Sequence, residues 1–169
     1  RLNMELKAFQ DIYFEEVFAF FKSKAFDIKE RKDYTLELVK EDSNGNKQRV
    51  DIGTGQHRSG TIYAAISSAV LLYSVDKYFL KHSNKLPGLH TNTLSIEPRV
   101  SDNKYVLELN KDWDISNISK KIIEQYQDLI LPLLVQFSNV IELDKYANIP
   151  FDKYYQTPPI FTNNGHWFR

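Results

Sequence analysis

Leu6, Phe9, Tyr13, Val17 and Phe20 recur at spacings of three and four near the start of the chain, with Phe14, Phe18 and Phe21 beside them. That period is helical and predicts a helix over about 4–24. The aromatic stripe is wide, so the helix is expected to cross a sheet and touch a second element as well. From Asp33 the period becomes two. Tyr34, Leu36 and Leu38 alternate with Thr35 and Glu37, Ser43-Asn44-Gly45-Asn46 supplies turn residues, and Val50 and Ile52 alternate with Arg49 and Asp51. Asn44-Gly45 tolerates positive φ, so the two runs read as a β-hairpin. Its other face carries Glu37, Lys40, Arg49 and Asp51 and reads as solvated. So does the mixed-charge run Lys29-Glu30-Arg31-Lys32-Asp33 ahead of it.

Residues 61–73 put Ile62, Ala64, Ile66, Ser68, Val70 and Leu72 on one side and Tyr63, Ala65, Ser67, Ala69, Leu71 and Tyr73 on the other. Both faces are largely apolar, which predicts a central strand covered in part on two sides. A buried helix is the rival reading; the β-branched opening and Gly60 favour the strand. Ser74 then caps a short helix from Val75 to His82 that ends before Pro87-Gly88. Leu94, Ile96 and Pro98 lie in a strand within 91–100. Tyr105, Leu107 and Leu109 follow at period two, with Ser101-Asp102-Asn103 as the turn between the two strands.

A second helical stripe follows. Ile115, Ile118, Ile122, Tyr126, Leu129, Leu133 and Phe137 repeat at three and four, with Asp114 or Ser116 available as cap. Pro132 sits inside the pattern and is expected to kink it, because it lacks a backbone donor and crowds the carbonyl four residues back. Ser138 restarts a short helix through Tyr146. Beyond 148 come three prolines and many aromatics. The resulting class is α+β: an N-terminal helix, a four- to five-stranded mostly antiparallel sheet, a long kinked C-terminal helix and an extended aromatic tail. Residues 1–148 read as one domain and 149–169 as the tail, with both helices on one face of the sheet.

Composition narrows the functional classes. The chain has 169 residues and equal numbers of acidic and basic side chains, 22 of each. A balanced charge argues against nucleic acid held by a broad basic face. With no cysteine, disulfides, thiolate metal sites and cysteine nucleophiles are excluded. Residues 61–73 are too few to span a bilayer as a helix, and no secretory leader precedes the first helix. The expected setting is therefore a cytoplasmic protein without a membrane partner. Arg1-Leu2-Asn3 precedes Met4, the expected natural start.

Little in the sequence assembles into chemistry. Gly53-Thr54-Gly55-Gln56-His57-Arg58-Ser59-Gly60 matches neither a dinucleotide fingerprint nor a phosphate-binding loop, and a strand follows it rather than a helix. It reads as a strand connection, with an anion-binding use of His57 and Arg58 as the alternative. His57, His82, His90 and His166 lack ligand spacing. Asp112 and Asp114 stand before a helix, where carboxylates cap, and Glu41 and Asp42 stand at a hairpin turn. No G-x-S-x-G elbow supports serine catalysis. The expectation is no catalytic residue, no metal and no cofactor. The tail aromatics either seal an apolar edge or form a partner surface, with Tyr154, Tyr155, Trp167, Phe168 and Arg169 as candidates.

Phe18 to Phe26, Tyr34 to Leu38, the consecutive strands and the ending Ile130-Leu131-Pro132-Leu133-Leu134 through Phe137 together resemble a bacterial family of small α+β domains. The resemblance covers roughly 4–146. That family is similar to immunity proteins found beside polymorphic toxins, and it brings no catalytic motif. What the resemblance implies is a non-catalytic protein-binding module, with a toxin or a second copy as partner. The alternative is a small-ligand binder or enzyme whose pocket lies between sheet and helices and uses His57, Arg58, Tyr63, His90 and Arg99.

Overall fold

The computed structural model describes residues 2–56, 58, 61–75, 94–98, 107–109, 115–147 and 160–161. Helix α1 (Leu2–Ser23) opens the chain. Four strands follow: β1 (Asp27–Arg31), β2 (Thr35–Glu41), β3 (Lys47–Gln56) and β4 (Ile62–Leu71). Two short segments come next, β5 (Leu94–Pro98) and β6 (Leu107–Leu109). Helix α2 (Ile115–Gln125) runs through a π-helical turn at Tyr126–Ile130 into α3 (Leu131–Gln136). Helix α4 (Val140–Ala147) and the two-residue β7 (Ile160–Phe161) complete the described chain. The architecture is the expected α+β, with every strand pair antiparallel.

The sheet order is β1-β2-β3-β4-β5-β7, and β6 also pairs β4. β5 and β6 are therefore not the expected hairpin. β6 lies along the start of β4 (Ala64 opposite Leu107) and β5 along its end (Ser68 opposite Ile96). The turn residues Ser101-Asp102-Asn103 lie outside the described residues, as does the expected helix beyond Val75. β7 pairs Ile160 and Phe161 with Pro98 and Glu97.

Alternation along the strands splits the sheet into an apolar and a polar face. Leu36, Leu38, Val50, Ile52, Ile62, Ala64, Ile66 and Val70 are buried on one face. Against them pack Leu6, Phe9, Tyr13, Phe14, Val17 and Phe21 of α1, and Ile122, Tyr126, Ile130, Leu134 and Phe137 from the C-terminal helices. Both helical layers thus cover a single face. Fully burying one such side chain is worth roughly 1.5–3 kcal/mol.

The end of α1 is set by this packing. Phe26 N–H donates to Phe21 O (3.1 Å) and Ala25 N–H to Lys22 O (3.1 Å), the double closure of a Schellman motif. The motif needs a left-handed residue, and Ala25 takes φ 63°. Its accompanying apolar contact is Phe26 edge-on to Phe21, with centroids 5.4 Å apart.

Five details depart from the sequence reading. The charged run is solvated as expected but forms a strand, β1, paired with β2, and Lys32 closes a two-residue turn on Thr35. That turn holds Tyr34, which is exposed rather than the first inward residue. Lys40 falls on the helix side, where its Nζ lies 5.9 Å from the centre of the Phe26 ring. The second stripe also shifts. Leu131 N–H donates to Tyr126 O, five residues back, so the π-turn inserts one residue just before Pro132. The inward positions therefore become Ile130 and Leu134, with Leu129 and Leu133 only partly buried. Finally, Asn139 rather than Ser138 caps α4: its Oδ1 accepts from Ile141 N–H (2.8 Å), while Ser138 Oγ turns back to Val135 O.

Buried polar groups are few on this face. Gln10 Nε2 donates to Thr54 Oγ1 (2.5 Å), tying α1 to β3, and Ser68 Oγ donates to Arg49 O (2.6 Å). Tyr13 Oη has no hydrogen-bond partner, and burial pushes its pKa well above the usual phenol range.

Two substitutions test this account by urea denaturation. Ala25→Gly should raise stability by about 1 kcal/mol, because glycine carries no Cβ penalty in the left-handed region. Tyr13→Phe should leave stability unchanged or raise it by up to about 1 kcal/mol, since the hydroxyl is buried without a partner. A clear loss in either variant would contradict the geometry.

Candidate functional site

The face of the sheet turned away from the helices carries most of the polar chemistry on the described strands. Its geometry starts at the β2–β3 turn. Asp42 Oδ1 accepts from Asn44 N–H (2.7 Å) and Asn46 N–H (3.0 Å), and Asn46 Nδ2 donates to Asp42 Oδ2 (2.9 Å). Gly45 N–H donates to Asp42 O, and Gly45 adopts φ 80°. This is a three-residue hairpin loop with its left-handed residue at glycine. These donors, the Asn46 amide first, hold the Asp42 carboxyl below the usual carboxylate range. The Asn46 Oδ1 also accepts from Tyr73 N–H (3.0 Å), fastening the turn to the end of β4.

The turn fixes the register, and the register builds the site. Glu37 on β2 sits directly opposite Asp51 on β3, Asp51 opposite Ser67 on β4, and Glu30 on β1 opposite Glu37. Like charges placed opposite one another are unfavourable. Cations offset them. Arg49 Nε lies 2.9 Å from Asp51 Oδ2 and 4.0 Å from Glu37 Oε1, and Lys29 Nζ lies 2.8 Å from Glu37 Oε1. Lys32 pairs with Glu30 (3.0 Å). The carboxylates are not freely solvated: the Glu37 side chain is 12% exposed and Asp51 20%. Burial pushes the Asp51 pKa up, Arg49 pulls it down, and Glu37 adds to the rise.

Gly53 pairs with Ala65, and Arg49 with Ala69. Tyr63 is opposite Gly55, and its ring lies across that glycine so closely that an added Cβ would overlap the ring.

Of the candidate ligand- and partner-binding residues, the structure describes two. Tyr63 lies on the face turned away from the described helices, because Ile62 and Ala64 on either side of it point into the core. Arg58 is exposed in the β3–β4 turn. His57, His90 and Arg99 lie outside the described residues, as do Tyr154, Tyr155, Trp167, Phe168 and Arg169 and the Asp112/Asp114 pair. Glu41 and Asp42 have structural roles: Glu41 pairs with Lys47 (3.2 Å), and Asp42 anchors the turn. The Glu37/Asp51 pair escaped the sequence reading, although counting outward from Asp42 and Asn46 places them opposite each other.

Among the described residues, no group of three His, Asp or Glu side chains is arranged to hold a metal ion, and no helix is long and apolar enough to cross a membrane. The chain matches no family model, no curated protein and no solved structure.

Two outcomes follow from this geometry. Asp51 has a raised pKa in the fold, so its favourable contribution is complete below the unfolded carboxylate pKa and is lost as pH rises through the folded value. Asp51→Asn should therefore gain stability relative to the native chain as pH climbs from acid to neutral, which thermal melts at a series of pH values would reveal. A difference that stays flat with pH would refute the buried-carboxylate account. Gly55→Ala should cost about 1–3 kcal/mol through overlap with the Tyr63 ring. Tyr63→Ala in the same chain should recover part of that loss, so the two changes are non-additive in a double-mutant cycle.

Proposed function

We propose that the chain is a non-catalytic protein-binding module that docks its partner on the face of the sheet turned away from the described helices, in the manner of an immunity protein that neutralises a toxin. The observation that carries this reading is the contrast between the two faces. The described interior between sheet and helices is filled by apolar side chains. The polar chemistry instead lies on the opposite face of the sheet, where carboxylates and cations are already paired. Paired, half-buried charges on a broad face suit recognition of another protein's surface, where polar groups set specificity. A reaction centre calls for a water-excluding cleft with groups left free to act. The resemblance of the apolar spacing to immunity-like domains points the same way, as analogy.

The second reading, a small-ligand binder or enzyme, draws on one observation: Glu37 and Asp51 stand side by side, and Asp51 has a raised pKa. Adjacent carboxylates, one of them held less acidic by burial, are also how acid–base sites are built.

One experiment separates the two. The purified chain is titrated calorimetrically with the product of the reading frame adjacent to its gene, native and as Ser67→Arg. Ser67 points away from the core shared with the described helices, so the bulky substitution leaves that core intact. Binding should occur and weaken by about tenfold or more in the variant, with an unchanged circular dichroism melt. Absence of binding, together with a small molecule that co-purifies and is lost in Asp51→Asn, would replace this reading with the second.

A further inference from the structure

We draw no further inference here: the strongest candidate, the half-buried Glu37–Asp51–Arg49 cluster beside Ser67 on the face of the sheet turned away from the described helices, belongs to the surface already proposed as the docking face, and nothing among the described residues shows what covers it.

Discussion

Phe21 is where the layers of this fold meet. Its ring lies 5.4 Å from Phe26 at the start of β1 and 4.7 Å from Tyr126 in the C-terminal helix, edge-on to both, and Phe20 adds a 6.1 Å contact to Tyr126. Edge-to-face aromatic pairs of this kind contribute about 0.5–1.5 kcal/mol beyond the area they bury. Local geometry yields to the packing in two places. α1 closes with Ala25 in the left-handed region, which brings Phe26 back under Phe21. The second helix widens by one residue at Tyr126–Ile130, which keeps Tyr126, Ile130 and Leu134 inward in spite of Pro132. Each distortion is unfavourable in isolation and is held because the aromatic cluster lies on the other side of it.

The described helices pack on one face of the sheet, and that leaves the polar positions to the other. A sheet buried on one face alternates polar residues onto the other, and here the polar positions of β2 and β3 are mostly charged. Two carboxylates of the same hairpin respond in opposite directions. Asp42, in the solvated turn, is surrounded by amide donors and held acidic; Asp51, halfway down the strand, is dominated by burial and held less acidic. Local hydrogen bonds win at the tip, and desolvation wins on the face.

The parts of this arrangement that repeat were legible in the sequence. The helical stripe of α1 lies where the spacing places it, and Asn44-Gly45 marks the hairpin because a left-handed residue is needed there. The strand at Ile62–Leu71 follows from its two apolar sides. What escaped notice are the elements whose residues do not alternate. β1 is exposed throughout and charged apart from Ile28, so no period-two signal marks it. The one-residue shift from Leu129 and Leu133 to Ile130 and Leu134 arises from a widened turn that a fixed period of 3.6 cannot express. The site was half legible. Glu37, Arg49 and Asp51 were recognisable as the outer face of the hairpin, but their burial and mutual pairing emerge only when β1, β2 and β3 lie side by side.

β1 shows why that juxtaposition holds. A charged first strand discourages pairing with another chain, the usual reading of such composition. Here the same charges also serve the neighbouring strand. Lys29, the extra residue where the register shifts between Ile28 and Glu30, reaches Glu37 and supplies a second cation beside Arg49. Two residues on, Arg31 turns to the other side, pairing with Asp11 of α1 and lying 5.5 Å over the Phe14 ring. The bulge thus sends Lys29 to the polar face and Arg31 to the helix. A strand with no buried residue is held by its ladder to β2, and the Lys29 charge it brings makes the Glu37–Asp51 pair tolerable.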